Sequence, residues 1–412
     1  MNADIIVVGA GAAGLWAAER AARAGRKVLL LEKTPRAGTK ILASGGTRCN
    51  LTTTLDAKGA ARLFGDAELF LLPALKGMSP QRVRRRFHDL GVETVEEPHL
   101  EKVFPASQRA VDVRDALLEA ALKAGVEIRY NQPVLGIAPG WTVTTPGGEF
   151  TAPKLLLCSG GQSYPRTGTT GDAYSWLRDL GLAVTPPVPA LVPLASGAEW
   201  VRELSGISVQ QTEARLLGPS GKLVQRRARP VLFTHHGLSG PGAMDLSARV
   251  ARDRHDGRSG HVVTLDLLPS WPEENLRAEL LSAAGRPGGP RLGKVLTGEP
   301  IPARLLAAVL RQAGIADENP ALHSLEAKLR NKLADALKAL RVPISGTLGW
   351  DQAEVTAGGL SLDEVERETY EVKRHPGLYV FGELLDLTGP IGGLNFQAAF
   401  STAERAAVHA AR

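Results

Sequence analysis

The fold is decided by one stretch near the N-terminus, Asp4-Ile-Ile-Val-Val-Gly9-Ala-Gly11-Ala-Ala-Gly14. Its first half is short and apolar, which predicts a buried strand. The three glycines form the pattern G-x-G-x-x-G. In this pattern Gly9 permits a tight turn, Gly11 lets a pyrophosphate approach the backbone, and Gly14 lets the next helix pack closely on the strand. The stretch therefore predicts the start of a dinucleotide-binding unit.

The residues that follow complete this unit. A helix is predicted over Ala12–Ala24 with Gly25 as its C-cap, and its N-terminus offers unpaired N–H groups and partial positive charge to phosphates. Val28–Leu31 predicts the second strand, and Glu32 ends it. This acid lies about 20 residues after the glycines, where a carboxylate binds ribose hydroxyls. Strand, helix and acid at these spacings favour a dinucleotide site over an incidental glycine-rich turn.

Composition limits the class of protein. A chain of 412 residues predicts two or three domains, and 43% hydrophobic with 22% charged residues is ordinary for a globular protein. The 45 glycines exceed the roughly 29 that average usage gives, which fits a backbone wrapped around phosphates. A net charge of +6 permits a polyanionic partner. Two cysteines supply no disulfide framework or zinc cluster, and without a predicted leader or membrane span we expect a cytoplasmic protein.

Two later stretches carry further signals for the same ligand. The polar segment from Lys33 to Thr52 lacks periodicity and predicts an ordered loop over the ligand, with a plain surface loop as the alternative. The apolar strand predicted over Lys154–Cys158 runs into Ser159-Gly160-Gly161, which again brings backbone close to a cofactor.

The C-terminal part returns to the first domain. A strand is predicted over Leu378–Phe381, followed by Gly382-Glu383 and Asp386, and Gly392-Gly393-Leu-Asn395 opens the last helix. Either carboxylate can bind ribityl or pyrophosphate-linked groups. The helix N-terminus can favour the negative charge that builds on a flavin pyrimidine during reduction. A second G-x-G-x-x-G is absent, so a nicotinamide donor would have no fingerprinted domain of its own.

Prolines near residues 185–189 mark a boundary. Short strands with turns predict a β-barrel-like insert over residues 190–270, and helical periodicity predicts a helical insert over 271–342. Residues 1–189 and 343–412 would then form the cofactor-binding domain.

Several motifs together resemble the BaiN/RdsA family of NAD(P)/FAD-dependent flavoproteins over essentially the whole chain. They are Gly9–Gly14 with Glu32, Ser44–Asn50, Val103–Arg109, Ser163–Gly168, Phe233–Pro241, Val355–Leu360 and Phe381–Asn395. The resemblance implies an α/β fold with a Rossmann-like, glutathione-reductase-like FAD-binding domain interrupted by the two inserts. It also implies bound FAD with NAD(P)H as donor. Family activities are reduction of a uracil to dihydrouracil in large-subunit ribosomal RNA and a reductive step on steroid-type enones. The chain departs from the family at Thr47, His236 and Leu394, where glycine, phenylalanine and an aromatic residue are usual.

The residues expected to hold the cofactor lie in these motifs. They are Gly9, Gly11, Ala12, Ala13, Gly14, Glu32, Lys33, Lys40, Ser44, Gly45, Arg48, Asn50, Val134, Ser159, Gly160, Gly161, Gly382, Glu383, Asp386, Gly392, Gly393 and Asn395. Arg48 and Lys40 would offset the charge of reduced flavin or bind phosphate. Arg166 either supports the flavin loop or binds a substrate phosphate.

Both family reactions need a proton donor beside the flavin. Cys49 and Tyr164 are the candidate catalytic residues, with inert packing as the alternative for Cys49. His235 and His236 are predicted to be hydrogen-bonded structural residues, with substrate contact as the alternative. Cys158 is expected in the core.

Basic groups bear on an RNA substrate. They are Arg82, Arg84, Arg85 and Arg86, then Arg226 and Arg227, and the stretch Lys328–Arg341. Each is either a solvated surface or part of an anion-binding face. Three functions stay open: a flavin reductase acting on a uridine of ribosomal RNA, a flavin reductase acting on a small enone, and a non-catalytic FAD-binding protein.

Overall fold

The protein is described from a computed structural model, which covers residues 3–97, 101–286 and 288–412. The chain forms two compact units. One consists of Met1–Pro189 with Ala353–Arg412, and the other is Ala190–Gln352. In the covered residues, no helix combines the length and the apolarity that crossing a bilayer requires.

The first unit opens with the predicted strand, helix and strand, namely β1 (Ile5–Val8), α1 (Ala12–Arg23) and β2 (Val28–Leu31). Further helices and strands follow up to the boundary of the unit. They are α2 (Thr39–Ala43), β3 (Thr52–Thr53), α3 (Ala57–Arg62), α4 (Glu68–Gly77), α5 (Pro80–Asp89), β4 (Thr94–Glu97), β5 (Lys102–Pro105), α6 (Ala110–Lys123), β6 (Glu127–Arg129), β7 (Gly136–Ala138), β8 (Thr142–Thr145), β9 (Gly148–Thr151), β10 (Lys154–Leu157), α7 (Ala173–Asp179) and β11 (Val184–Ala190).

The second unit mixes short strands and helices. They are β12 (Leu194–Ala195), α8 (Glu199–Glu203), β13 (Ser208–Val209), β14 (Glu213–Leu217), β15 (Leu223–Arg227), β16 (Val231–Thr234), β17 (Gly237–Ser239), α9 (Pro241–Met244), α10 (Ser247–His255), β18 (His261–Asp266), α11 (Glu273–Gly285), α12 (Leu292–Val295), α13 (Ala303–Ala313), α14 (Ala327–Lys338), β19 (Leu340–Ile344) and β20 (Gly346–Thr347). The chain then returns to the first unit with β21 (Val355–Leu360), β22 (Leu378–Val380) and α15 (Leu394–Ala410).

A parallel sheet forms the centre of the first unit, with strand order β22-β10-β1-β2-β6. All four residues of β1 are buried, as expected for a parallel strand covered on both faces. Helices from the two ends of the chain pack together beside this sheet. Trp16 of α1 lies with its ring centroid 4.9 Å from that of Phe400 in α15, and its indole nitrogen donates to Glu404 at 3.0 Å. The N-terminal and C-terminal segments therefore build one domain.

The second unit joins the residues that the sequence divides into two inserts. Strand β19 follows helices α11–α14 in the sequence and pairs with β18, which precedes these helices. Leu265 of β18, Leu276 of α11 and Leu333 of α14 belong to one buried hydrophobic cluster. Strands and helices thus share a core, because each covers the apolar face of the other.

Some predicted element bounds are wrong. The sequence predicts a helix over Asp112–Ala124 that Asp112 can cap, whereas α6 begins at Ala110, so Asp112 lies in its first turn. The sequence also predicts one strand over Val209–Leu217, whereas the structure has two strands in different sheets, since β13 pairs with β16 and β14 pairs with β15 and β18. The segment from Lys33 to Thr52 holds the short helix α2, although its sequence has no helical periodicity.

Candidate active site

The three glycines of the glycine-rich turn differ in the room available for a side chain. There is room at Gly11, whereas other atoms block the Cβ positions of Gly9 and Gly14. Gly9 has φ 103°, and a Cβ there would lie 2.9 Å from the Cα of Ser159. A Cβ on Gly14 would lie only 1.8 Å from the carbonyl oxygen of Gly9. At Gly11, no atom of the described chain beyond the glycine and its immediate neighbours in sequence lies within 4 Å of the Cβ position. Gly9 and Gly14 are therefore needed for packing, whereas Gly11 borders open space.

This space adjoins unpaired backbone donors. No side chain of the described residues caps α1, whose N-cap residue is Gly11. The first N–H groups of a helix have no acceptor within it, and they carry partial positive charge. The turn can therefore bind an anion such as a pyrophosphate.

Glu32 lies beside the same turn. Its carboxylate accepts hydrogen bonds from the backbone N–H of Ala10 at 2.7 Å and from the N–H and hydroxyl of Thr34 at 2.8 Å each. The residue is almost completely buried. An ionised carboxylate has about four acceptor sites, so capacity remains for a ribose hydroxyl.

The C-terminal motifs meet this region. A Cβ on Gly382, which has φ 71°, would lie 3.3 Å from the Cβ of Ala13 in α1. The Asn50 side-chain amide is oriented so that both its oxygen and its nitrogen have hydrogen-bond partners. In this orientation the oxygen accepts a hydrogen bond from the N–H of Gly393 at 2.8 Å. The glycine-rich turn, the Ser44–Asn50 loop and the start of α15 therefore belong to one assembly within the first unit.

An ion pair lies within this assembly. The Lys40 ammonium donates to both carboxylate oxygens of Glu383, at 2.8 and 2.7 Å, and to the hydroxyl of Ser163 at 2.7 Å. Glu383 also accepts from the Ser163 hydroxyl at 3.0 Å and from the N–H of Thr356 at 2.9 Å. The sequence indicates Lys40 and Glu383 but gives no role to Ser163 or Thr356. Their only signal is that both lie in motifs that carry the family resemblance.

The Ser44–Asn50 loop has a rare backbone conformation. Gly45, Gly46, Thr47 and Cys49 all have positive φ, with values of 54°, 64°, 70° and 60°. This region suits glycine, and it is strained for a β-branched residue such as Thr47. The usual glycine of the family at this position therefore has a conformational reason.

Arg48 on this loop is engaged by protein groups. Its guanidinium donates to Glu97 at 2.8 Å and to Gln108 at 3.0 Å, and it lies 4.1 Å from the ring centroid of Phe104. These contacts fix the loop and favour a structural role for Arg48. The expected contact with phosphate or reduced flavin stays a prediction.

The two candidate catalytic residues differ in exposure. Cys49 is 0% exposed, and burial raises the pKa of its thiol to about 12, although a hydrogen bond with Ser44 acts in the opposite direction. The thiol is therefore protonated at neutral pH but lies in the core, which weighs against proton delivery to a substrate. Tyr164 is 37% exposed. Cys158 is buried, and burial raises the pKa of its thiol as well.

Other predicted cofactor residues lie in fixed surroundings. The N–H of Gly358 donates to Asp386 at 3.0 Å, and Asn395 closes a pair of hydrogen bonds with the backbone of Gly389, both at 2.9 Å. Lys33 donates to Thr170 at 2.5 Å and to Asp172 at 2.6 Å.

The remaining predicted residues line turns or the edge of the core. Gly160 has φ 77°, and a Cβ on Gly161 would lie 2.2 Å from the hydroxyl oxygen of Thr356. Val134 is half-buried against the core of the first unit. His235 and His236 are exposed in the turn between β16 and β17 of the second unit, and no hydrogen bond joins either ring to the described residues. The expected structural hydrogen bonds of these two rings are absent from this part of the chain.

Most basic side chains on α5 are engaged. Arg84 and Arg86 each pair with a glutamate carboxylate, and Arg82 donates to a backbone carbonyl at 2.6 Å. Arg85 is exposed and has no partner among the described residues. The charge available to a polyanion on this helix is therefore smaller than the run of arginines predicts.

The basic groups of the second unit are also partly engaged. Arg227 lies 3.7 Å from the buried carboxylate of Asp245, whereas Arg226 is exposed. Lys338 is buried, with its ammonium 2.8 Å from Asp266. Lys338 is thus a structural cation, and the Lys328–Arg341 stretch is not uniformly an anion-binding surface.

Comparison with known proteins decides the family. The family model described as HI0933-like protein Rossmann domain matches residues 3–409. The chain belongs to this family.

Curated proteins similar to this member of the HI0933-like family include two with different names. The ribosomal RNA dihydrouridine synthase of Escherichia coli (strain K12) is 31% identical over 403 residues, covering 97% of this chain and 96% of the relative. The 3-dehydro-bile acid delta(4,6)-reductase of Clostridium scindens is 30% identical over 401 residues, covering 96% of each protein.

A solved structure supports the fold. The 3-ketosteroid-delta4-(5alpha)-dehydrogenase from Rhodococcus jostii RHA1 has a TM-score of 0.52 and 17% identity, covering 100% of this chain and 97% of that one. The predicted fold class, a Rossmann-type FAD-binding domain, is confirmed. The HI0933-like protein is an FAD-dependent oxidoreductase, as the sequence predicts.

Proposed function

We propose that the protein reduces a uridine of large-subunit ribosomal RNA to dihydrouridine, with FAD as cofactor and NAD(P)H as electron donor. The observation that carries this proposal is the 31% identity, over 97% of the chain, to a protein named ribosomal RNA dihydrouridine synthase. A second protein of that name, from Haemophilus influenzae, is 29% identical over 99% of the chain.

The residues of the first unit fit FAD. The open space at Gly11 and the unpaired N–H groups of α1 would receive the pyrophosphate, and Glu32 would bind the adenosine ribose. Glu383 is held beside them by Lys40 and would contact the ribityl chain. FAD held by these residues would supply the hydride-transfer chemistry that reduction of an electron-poor C=C bond requires.

The chain itself would supply electrostatics and a proton. The N-terminus of α15, at Gly393, carries partial positive charge that favours an anionic pyrimidine ring. Lys40 contributes a fixed cation. The neighbouring substrate carbon needs a proton, and of the two predicted donors only Tyr164 has exposed surface. Tyr164 is therefore the proposed donor, and Cys49 is set aside because of its burial.

A reductase acting on a small enone is the second candidate. The observation that favours it is the 30% identity to a bile acid reductase over 96% of both proteins, which nearly equals the identity to the RNA-modifying relative. The basic groups would then have no role in substrate binding. This agrees with the ion pairs that Arg84, Arg86 and Arg227 form with carboxylates.

One experiment separates the two candidates. Dihydrouridine in large-subunit ribosomal RNA is mapped by mass spectrometry in cells with and without the gene, and the purified holoenzyme is reduced by NADPH without oxygen. We expect the mapped nucleotide to lose its modification when the gene is absent, and unmodified ribosomal RNA to reoxidise the flavin. Unchanged RNA together with rapid reoxidation by a steroid-type enone would contradict the proposal and support the second candidate.

A further inference from the structure

The segment from Tyr164 to Arg166 presents two side chains that are free to bind a ligand. Tyr164 is 37% exposed although it is a large aromatic residue. Arg166 is also exposed. Within residues 3–97, 101–286 and 288–412, neither side chain has a hydrogen bond or ion pair. An exposed aromatic ring gives up the stabilisation that burial would provide, and exposed aromatic and guanidinium groups are available for recognition.

The backbone below these side chains is fixed in a rare conformation. Tyr164 has φ 54° and ψ 59°, in the left-handed region that non-glycine residues seldom adopt. Its carbonyl accepts hydrogen bonds from the N–H of Thr167 at 3.0 Å and from the hydroxyl of the same residue at 2.8 Å. Thr39 donates in turn to the carbonyl of Thr167 at 2.6 Å. Strain that is held in place by its surroundings is typical of functional sites.

The segment is attached to the proposed cofactor site. Ser163, which precedes Tyr164, is completely buried, and its hydroxyl lies 2.7 Å from Lys40 and 3.0 Å from Glu383. Thr169 donates to the carbonyl of Ser163 at 2.6 Å, which closes the loop from its other end. Tyr164 therefore directly follows in sequence a residue that contacts the Lys40–Glu383 ion pair, and hydrogen bonds hold the segment on both sides of it.

We infer that Tyr164 and Arg166 form the substrate-recognition element of the site, and this inference rests on the proposed action on RNA. The Tyr164 ring stacks on a base of an unpaired RNA segment, and the Arg166 guanidinium binds a backbone phosphate. Single-stranded RNA is read by aromatic stacking together with cationic contacts to phosphate. Stacking on the ring is independent of proton donation by the Tyr164 hydroxyl, because the two use different parts of the side chain.

Substitutions separate the ring, the hydroxyl and the charge. Binding of unmodified large-subunit ribosomal RNA to the oxidised holoenzyme is measured for Tyr164→Phe, Tyr164→Ala, Arg166→Ala and the control Arg62→Ala. Arg62 is an exposed arginine on α3 without a partner among the described residues. Equal FAD absorbance in every variant verifies that the cofactor domain is folded.

We expect Tyr164→Ala to weaken RNA binding roughly 5- to 150-fold, the range for loss of one base stack, and Tyr164→Phe to bind within about twofold of the unsubstituted protein. Arg166→Ala should reduce the slope of log affinity against log salt by about 0.7, as for one phosphate contact on a single strand. Arg62→Ala should leave both quantities unchanged.

Three results would overturn the inference. Tyr164→Ala could bind as tightly as Arg62→Ala, or Tyr164→Phe could lose as much affinity as Tyr164→Ala, although the unsubstituted protein forms dihydrouridine. In these two cases recognition by the ring fails while the proposed function stands. If the unsubstituted holoenzyme neither binds this RNA nor forms dihydrouridine in it, the proposed function is wrong. The proposed recognition element, which rests on that function, is then wrong as well.

Discussion

The ammonium of Lys40 and the carboxylate of Glu383, from opposite ends of the sequence, form an ion pair with Nζ 2.7 Å from Oε2. The hydroxyl of Ser163 and the N–H of Thr356 bind the same carboxylate. Four segments of the first unit are thus joined at a single charged group. Loss of this ion pair should affect both the stability of the fold and the binding of a cofactor.

Substitution of Lys40 by methionine tests this junction. The aliphatic part of the side chain remains, but the partly buried Glu383 loses its counter-charge, so we expect the free energy of unfolding to fall by about 1–3 kcal/mol. FAD affinity should fall as well. Urea unfolding and fluorescence titration with FAD measure the two effects.

The matched control for this experiment is Lys33→Met. The Lys33–Asp172 pair has side chains that are 36% and 41% exposed, against 24% and 20% for Lys40 and Glu383. An exposed pair contributes at most about 1 kcal/mol. Equal destabilisation by the two substitutions would refute a special role for Lys40, whereas partial recovery in Lys40→Met/Glu383→Gln would support it.

Alanine at Gly11 and at Gly14 should have opposite consequences. The Cβ of Gly14→Ala would collide with the carbonyl oxygen of Gly9, so this variant should be unstable even without FAD. Beyond its immediate neighbours in sequence, the Cβ of Gly11→Ala meets no described atom within 4 Å, so the variant should fold normally and lose FAD affinity. Thermal unfolding of the apoprotein and FAD titration check both statements. Normal FAD binding by Gly11→Ala would show that the pyrophosphate lies elsewhere.

Replacement of Thr47 by glycine should stabilise the protein. Relief of the left-handed strain is worth about 1–2 kcal/mol, and the larger backbone entropy of glycine offsets about 0.5–1 kcal/mol of it. A net gain of up to about 1.5 kcal/mol in urea unfolding is expected. At Thr54, whose φ is not positive, the same change should destabilise. Loss of stability at both positions would mean that the conformation of Thr47 is not strained.

The raised pKa of the Cys49 thiol predicts how the stability of the protein depends on pH. The pKa of Cys49 is about 12 in the folded protein, against roughly 8.5 in an unfolded chain. The folded state therefore holds this proton more tightly, and its contribution to stability is complete below about pH 8.5 and is lost as the pH rises toward 12. Ellman's reagent at pH 8 should titrate neither Cys49 nor Cys158 in native protein and both after denaturation. Rapid labelling of native Cys49 would contradict its burial.

The first βαβ unit is predictable because its signals are local. Val28–Leu31 is a strand with the predicted bounds, and α1 starts at Ala12 as expected. Apolar runs, spacing and glycine positions all lie within a few residues of one another, so tertiary structure does not alter them.

The remaining features depend on contacts between distant residues. The positive φ of Thr47 follows from the packing of its loop, and no residue type next to it in the sequence requires this conformation. The partners of Lys40, which are Ser163 and Glu383, come from two later segments. The assignment of α5 as a basic face likewise misses its carboxylate partners, such as Glu19 on α1, because pairing of this kind is visible only in the folded chain.

The position of β22 has a consequence for biosynthesis. Leu378 of this strand pairs with Leu155, but it is translated only after the whole of Ala190–Gln352. Domains that are complete on the nascent chain can fold during synthesis, whereas this sheet must wait for its last strand. Until then, one edge of β10 offers unpaired backbone groups for misassociation. Completion of the sheet is therefore a late event in the folding of this protein, because it depends on a strand that is made only after the second unit.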